Sequence, residues 1–490
     1  MNIKAIFNVI GVLLVLLSGL LLVPLGLSLY YRTPAMPGYM SGLEAFLITF
    51  AISLAAGIAL WKLLPSGIEK LRDREGFAIV ALSWVAVAVF GAIPFMLTGV
   101  CPQFIDAFFE SMSGFTTTGA SILTDIDTAP KEVLFWRSMT QWIGGMGIIM
   151  LSLAIFPVLG IGSFQLFKAE IPGGSTVQRM QPRLAETAKI LWKTYLVLTL
   201  LEIIFLWFGG VDLFDAVCHT FSTVSTGGLS THNQSIAYFE SVYVESVIIL
   251  FMFLGGTNFA LHYHLVSRNF NTVFSNPEFR AYCFMILVLI LFVTWGLMET
   301  NTKEDPAEAF RSAAFTVMSI NTTTGFGTDD FNEWPDFLRV LMMAIMFVGG
   351  CSGSTSGSLK VIRFVILFKV IAREFQKLVH PRAIFHIKVG EKTVDPENLT
   401  NVVALTFLFF GLFAMSGILL SFMGVDLTTA FSASVATISN VGPGLGSVGT
   451  TGNYADLPVL GKAITIFLML LGRLEIFGVM LIFLPATWQK

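Results

Sequence analysis

Four short segments of the chain combine hydroxyl side chains with a closing glycine. They are Phe115-Thr116-Thr117-Thr118-Gly119, Val224-Ser225-Thr226-Gly227-Gly228, Asn321-Thr322-Thr323-Thr324-Gly325 and Ile438-Ser439-Asn440-Val441-Gly442. Threonine and glycine are poor helix formers, so each segment is expected to leave the helical conformation. Non-helical backbone at membrane depth persists only where it is buried in protein or lines water. Its carbonyl oxygens, and its hydroxyls, can then replace the hydration shell of a dehydrated cation. These residue types therefore indicate cation conduction.

The elements around these segments are predicted to form four similar units. Each unit has an outer helix (M1), a short pore helix (P) that ends at the segment, and an inner helix (M2). The predicted inner helices cover 133–159, 240–265, 337–373 and 457–485. Internal repetition supports this division, since the spacing of 107–119 recurs in 313–325 and 430–442. One chain with four such units can enclose a single pore.

Composition places the chain in a membrane. Hydrophobic residues make up 55% of its 490 residues and charged residues only 12%, whereas a soluble domain carries about 25% charged residues. At about 20 apolar residues per crossing, there is room for roughly ten spanning helices. The predicted fold class is an all-α membrane protein: a leading helix pair and then four tandem M1-P-M2 repeats in a pseudo-fourfold arrangement around one pore. The predicted divisions are 1–75 for the pair and 76–165, 185–268, 278–378 and 397–490 for the repeats.

The distribution of positive charge predicts the orientation. Lys and Arg collect between the units, whereas the connections 209–239 and 423–456, which carry two of the four segments, contain neither residue. Because Lys and Arg favour cytoplasmic loops, both termini are predicted to be cytoplasmic and the four segments to open outwards. The four cysteines form no C-x-x-C pair, so no zinc site or disulfide framework is indicated.

The four M1-P-M2 units, the glycine that closes each segment and the interrupted third inner helix resemble the Trk/Ktr/HKT superfamily of potassium transporters. The leading helix pair looks like its bacterial TrkH branch, and the resemblance covers nearly the whole chain. It implies potassium as the ion and the bacterial inner membrane as the location. It also implies a homodimer and a cytosolic TrkA-like regulatory subunit, which alone would bind nucleotide; no other cofactor and no nucleic acid are expected.

The resemblance implies a potassium filter built from the four segments, since one glycine per unit is associated with potassium selectivity in that family. The fourth segment departs from the threonine-rich pattern, which makes the filter side chains asymmetric. The predicted filter residues are Thr116, Thr117, Thr118, Gly119, Ser225, Thr226, Gly227, Gly228, Thr322, Thr323, Thr324, Gly325, Ser439, Asn440, Val441 and Gly442.

A second candidate site lies within the third inner helix, where ten consecutive residues include four glycines and four serines. Glycine costs about 1 kcal/mol relative to alanine in a helix, so the helix is expected to break there. The resemblance implies a mobile loop that obstructs the pore below the filter, and close helix packing through small residues is the alternative. The predicted gate residues are Gly349, Gly350, Cys351, Ser352, Gly353, Ser354, Thr355, Ser356, Gly357, Ser358, Lys360 and Arg473.

Two of these residues have alternatives. Arg473 lies in an otherwise apolar helix, where a charge is costly and faces a pore or a partner; the resemblance places it on the permeation path, and a local pair with Glu475 is the other interpretation. Lys360 fits an interfacial position as well as a latch on the gate.

Two other functions remain open from the sequence. A cation symporter on the same scaffold would couple potassium to sodium or protons through Glu202 or Glu245. An intramembrane enzyme would need paired catalytic residues, and the polar groups of the apolar segments are hydroxyls and glycines instead. No catalytic residues are therefore predicted.

Overall fold

The computed structural model describes residues 2–64, 73–147, 181–383 and 385–488. The helices of this part of the chain are α1 (Ile3–Tyr31), α2 (Gly42–Leu63), α3 (Asp73–Leu97), α4 (Phe104–Phe115), α5 (Lys131–Met146), α6 (Gln181–Phe208), α7 (Leu213–Val224), α8 (Val242–Gly256), α9 (Phe259–Val266), α10 (Phe270–Phe274), α11 (Pro277–Glu299), α12 (Pro306–Asn321), α13 (Asp336–Ile345), α14 (Val361–Val379), α15 (Pro396–Phe422), α16 (Leu427–Ile438), α17 (Val459–Arg473), α18 (Phe477–Phe483) and α19 (Pro485–Trp488). Two very short strands, β1 (Lys388–Val389) and β2 (Lys392–Thr393), form an antiparallel hairpin in which Lys388 pairs with Thr393 and Val389 with Lys392.

Six helices of the described residues are long and apolar enough to cross a membrane, and the bent pair α8 and α9 could supply a seventh span. The six are α1, α2, α3, α6, α11 and α15. The chain is therefore a multi-pass membrane protein, and the predicted all-α membrane class is confirmed. The described residues hold fewer unbroken spans than the composition of the whole chain allows, in part because the last three inner helices are divided.

Each of the last three inner helices is interrupted. α8 and α9 meet at an angle of 105°, where the side chain of Asn258 accepts a hydrogen bond from the Ala260 amide and so starts a new helix. The third inner helix stops at Ile345 and resumes at Val361. The fourth stops at Arg473 and resumes at Phe477. The continuous helices expected over 240–265 and 457–485 are thus each divided in two, and the part of 133–159 beyond residue 147 lies outside the described residues.

The units contact one another in a cyclic order. In three cases the inner helix of one unit packs on the pore helix of the next: α5 on α7, α8 on α12, and α17 of the fourth unit on α4 of the first. Each inner or outer helix also packs on the pore helix of its own unit, as α3 does on α4 and α15 on α16. Three of the four pore helices, α4, α7 and α12, are therefore held between the helices of neighbouring units.

The leading pair, α1 and α2, crosses at two glycines. A Cβ atom on Gly11 would lie 2.8 Å from the carbonyl oxygen of Gly57, and one on Gly57 would lie 2.9 Å from the carbonyl oxygen of Gly11. α1 also packs on α3 and α5, so this crossing fixes the pair against the first unit. Small residues at such a crossing let two membrane helices approach closely.

We expect Gly11→Ala to destabilise the protein, because its methyl group would push α2 away from α1. Overpacking of this kind costs about 1–3 kcal/mol and should lower the melting temperature of the detergent-solubilised protein. The matched control is Gly19→Ala in the same helix, since a Cβ on Gly19 meets no atom within 4 Å. Equal melting temperatures for the two variants would contradict the close crossing.

Candidate functional site

The four pore helices all end one residue before a candidate filter segment. We call residues 116–119, 225–228, 322–325 and 439–442 the filter strands. Their first residues have nearly the same φ, namely −77° at Thr116, −78° at Ser225, −78° at Thr322 and −83° at Ser439. Their second residues are all left-handed, with φ of 53° at Thr117, 54° at Thr226, 58° at Thr323 and 53° at Asn440. The closing glycines have φ of 81° at Gly119, 74° at Gly228, 81° at Gly325 and 98° at Gly442. One backbone conformation is therefore repeated in all four units.

Neighbouring filter strands meet at these glycines. A Cβ atom on each glycine would overlap or closely approach a carbonyl oxygen of the next strand, and in every case that carbonyl belongs to the residue before the next strand's own closing glycine. The contacts join Gly119 to Gly227, Gly228 to Thr324, Gly325 to Val441, and Gly442 to Thr118. Because the fourth contact returns to the first strand, the strands form a closed ring.

In the first and third filter strands, threonine hydroxyls form hydrogen bonds with the pore helix and with each other. Thr116 Oγ1 donates to the Met112 carbonyl at 2.7 Å and lies 2.7 Å from Thr118 Oγ1. Thr322 repeats this arrangement with the Met318 carbonyl and with Thr324. These hydroxyls tie the strand to the last turn of its pore helix, so they stabilise the backbone of the strand.

The loop between α13 and α14, residues 346–360, lies against three of the filter strands. We call residues 349–358 of this connection the Gly/Ser loop. Thr355 Oγ1 is 3.3 Å from Thr226 Oγ1 of the second strand, and the Gly357 amide donates to Thr323 Oγ1 of the third strand at 2.6 Å. Ser358 Oγ lies 3.4 Å from Ser439 Oγ of the fourth strand. All these contacts are at the pore-helix end of the strands, opposite the glycines.

Arg473 contacts the remaining filter strand, the first, at the same end. Its guanidinium donates to Thr117 Oγ1 at 3.1 Å, to the Thr355 carbonyl at 2.8 Å and to the carbonyl of Gly144 at 2.6 Å. The Gly/Ser loop and Arg473 together therefore contact all four filter strands. Glu475, the alternative partner considered for Arg473, pairs with Arg363 of α14 at 2.5 Å.

Lys360 lies next to the Gly/Ser loop and is only 5% exposed. Its ammonium group donates to the carbonyl and the hydroxyl oxygen of Ser356 within the Gly/Ser loop. A cavity of about 140 Å³ adjoins it, lined by residues that include Gly145, Phe259 and Arg473. Lys360 thus binds the loop from within the protein.

A buried ion pair supports the first two units outside the ring, and its residues were not predicted. Arg137 Nε lies 2.5 Å from Glu110 Oε1, and both side chains are almost fully buried. Glu110 also accepts a hydrogen bond from the Ile122 amide, and Arg137 donates to the Ser230 carbonyl at 2.7 Å. The signal for them was an ionisable residue well inside each of two predicted membrane segments, which implies a partner.

His232, in the loop after the second filter strand, contacts the loop after the first filter strand and the start of α7. Its Nδ1 lies 3.0 Å from Asp127 Oδ1 and its Nε2 lies 3.3 Å from Asp215 Oδ2, while its ring stacks on Tyr238. Burial alone would lower the pKa of His232, but the hydrogen bonds and charges of the two carboxylates together raise the pKa above its usual value of 6.5. Only the protonated imidazole can donate to both carboxylates at once.

The family of the chain follows from comparison with known proteins. The family model TrkH, described as a cation transport protein, matches residues 42–490. The chain belongs to the TrkH family. The predicted resemblance to the TrkH branch is therefore confirmed.

Full-length relatives of this TrkH family member are known. It is 42% identical over 495 residues to the Trk system potassium uptake protein TrkH of Salmonella typhimurium, with all of both chains covered. It is 35% identical to the Trk system potassium uptake protein TrkG of Escherichia coli, covering 100% of this chain and 99% of that protein. Among solved structures, the crystal structure of the potassium transporter TrkH from Vibrio parahaemolyticus matches with a TM-score of 0.88 and 37% identity over all of both chains.

The His232 contacts predict a pH-dependent stability for this TrkH family member. Because the pKa of His232 is higher in the folded protein than 6.5, the stabilisation is fully present below about pH 6.5 and is lost as the pH rises through the raised value. We expect the free energy of unfolding of wild type to exceed that of His232→Gln by about 1 kcal/mol at about pH 6. The difference should be smaller at about pH 9. Thermal melts of both proteins across this range measure the difference. A gap that stays constant or widens with pH would contradict the charged contact.

Proposed function

We propose that this chain is a potassium uptake protein that conducts potassium selectively, as a channel does, across the bacterial inner membrane. The observation that carries this proposal is the closed ring of four filter strands with one repeated backbone conformation. The relatives support it, since they are named as potassium uptake proteins over the full length of the chain. A membrane potential of 100 mV supplies about 2.3 kcal/mol per charge, which is enough to drive uptake without ATP hydrolysis by this chain.

The filter works in this proposal through backbone oxygen atoms. The alternation of right-handed and left-handed residues in each strand turns successive carbonyls to one side, where they can replace the water around a potassium ion. The pore helices add to this, because their C-termini carry partial negative charge and end at the strands. Three of them begin at a capping aspartate: Asp212, Asp305 and Asp426.

The gate in this proposal is the Gly/Ser loop, held closed by its contacts with the filter strands. Arg473 places a fixed positive charge below the ring, which raises the barrier for a cation, and Lys360 fixes the loop from the other side. Because α14 begins directly after Lys360, a movement of α14 would pull the loop out of the path. A cytosolic TrkA-like nucleotide-binding subunit, acting on the basic cytoplasmic residues of a homodimer, is the proposed source of that movement.

A potassium symporter coupled to sodium or protons is the second candidate, and the burial of Glu202 favours it. This carboxyl group lies fully buried in α6, which packs on the second pore helix. Glu245 is a weaker carrier, since Arg311 lies 3.4 Å from it. Reversal potentials measured against potassium alone, then against sodium and pH, distinguish the two functions. A channel follows the potassium gradient only.

We expect Gly119→Ser to reduce potassium selectivity. The added side chain would overlap the Gly227 carbonyl and so distort two filter strands. The ratio of potassium to sodium flux in reconstituted vesicles should fall by at least about tenfold, which corresponds to about 1.4 kcal/mol of lost discrimination. Gly210→Ser is the matched control, because Gly210 also has positive φ, 85°, but meets no atom within 4 Å. An unchanged ratio in Gly119→Ser would remove Gly119 from the filter.

We expect Thr355→Val to open the gate more often. The hydroxyl of Thr355 lies 3.0 Å from the Val224 carbonyl and 3.1 Å from the Gly255 carbonyl, which share its one proton. Losing this hydrogen bonding, about 1 kcal/mol, should raise the potassium flux of the protein without its regulatory subunit by about fivefold. Ser354→Ala is the control within the loop, since Ser354 Oγ bonds to Cys351 and Ser356 of the same loop. A flux at or below that of wild type would show that these bonds do not hold the gate closed.

A further inference from the structure

The inner helices of the units share one register against their pore helices. A Cβ on Gly144, Gly255 or Gly472 would approach the carbonyl oxygen of the last residue of that unit's own pore helix. In the third unit, Gly349 occupies the corresponding place in the sequence. The residue three positions before each glycine is buried in every unit, and these residues are Gln141, Met252, Met346 and Met469. Three units thus place methionine where the first unit places glutamine.

Gln141 binds the second filter strand on both sides of its closing glycine. Its Nε2 donates to the Gly227 carbonyl at 2.6 Å, and its Oε1 accepts from the Leu229 amide at 3.0 Å. The side chain is 0% exposed. The two hydrogen bonds therefore clamp the backbone around Gly228 from the inner helix of the neighbouring unit.

The face of α5 that carries Gln141 follows the second strand along its length. One turn after Gln141, a Cβ on Gly145 would lie 2.6 Å from Ser225 Cβ at the start of the strand. One turn before it, Arg137 donates to the carbonyl of Ser230, just past the strand. Residues four apart lie on one face of a helix, so a single face of α5 supports the strand at three levels, with Gln141 at the level of the ring.

We propose that Gln141 is a positioning residue that sets the ion selectivity of the filter through the second strand; this inference rests on the proposed filter function. The Gly227 carbonyl that Gln141 holds is the one that faces Gly119, and Gly228 faces the Thr324 carbonyl. A displacement of the second strand therefore alters both of its neighbours in the closed ring. Methionine at this position could not donate to the Gly227 carbonyl, and the buried carbonyl and amide would be left unpaired.

The test is Gln141→Met in the full-length protein, reconstituted in vesicles. Methionine has a similar volume and already fills the corresponding site in three units, so the variant is expected to fold. The ratio of potassium to sodium flux should fall by about fivefold or more, because two buried backbone groups that define the strand lose their partners. An ion that binds the folded state raises the melting temperature. We expect potassium to raise the melting temperature of purified wild type more than sodium does, and we expect this difference to disappear in the variant.

The matched control is Thr140→Val, the neighbouring residue of the same helix. Its hydroxyl donates to the Arg137 carbonyl within α5 at 2.6 Å, so this variant loses a buried hydrogen bond that does not involve a filter strand. We expect Thr140→Val to keep the wild-type flux ratio and the potassium-dependent protection. If Gln141→Met only lowers the melting temperature and leaves both ion readouts as in wild type, the residue is merely structural and the inference is overturned.

A second variant covers a failure of Gln141→Met to fold. Gln141→Leu has a similar branched shape but neither a donor for the Gly227 carbonyl nor an acceptor for the Leu229 amide. It is expected to lower the flux ratio and the potassium protection, and unchanged values would again overturn the inference. The proposed function fails separately, when wild type shows no potassium flux or when Gly119→Ser leaves the ratio unchanged. A lowered ratio in Gly119→Ser together with an unchanged ratio in both Gln141 variants rejects only the role of Gln141.

Discussion

The structure depends on four contacts in which a glycine of one filter strand lies directly against a backbone carbonyl of the next. No side chain fits at these points, and each glycine also has a left-handed backbone that other residues adopt at a cost. Because the contacts close into a ring, the position of each strand depends on both of its neighbours. Protein interiors are close-packed and transmit such displacements. The pore helices and the Gly/Ser loop contact these strands directly, and the Glu110–Arg137 ion pair contacts the residues beside them.

The four strands reach one conformation through different side chains. Threonine pairs tie the first and third strands to their own pore helices. Gln141 holds the second strand from the neighbouring unit. In the fourth strand, Asn440 donates to Thr118 Oγ1 at 2.8 Å, and the Tyr454 hydroxyl donates to the Gly442 carbonyl at 2.7 Å. The repeated feature is therefore the backbone, and its side-chain support differs from unit to unit.

The features that the sequence predicts well are local ones. The all-α membrane class and the TrkH resemblance are confirmed, and each pore helix ends directly before its glycine-closed segment because threonine and glycine disfavour the helix at that point. The breaks in the second and fourth inner helices were not predicted, since they depend on a cap at Asn258 and on the contacts of Arg473 and Glu475 with other units. Arg473 and Thr117 are 356 residues apart, so no local pattern could reveal their contact. The roles of the filter and the gate stay predictions.

Joining four pore units in one polypeptide has a consequence for how such a protein changes over time. In an assembly of four identical subunits, a substitution appears in all four subunits at once. In this chain a substitution changes only one of the four units. The departure of the fourth strand to Ser439-Asn440-Val441 and the single glutamine among three methionines are changes that strict symmetry would forbid. The side chains that support the ring can therefore change in one unit at a time, while the other three units keep their own supporting contacts.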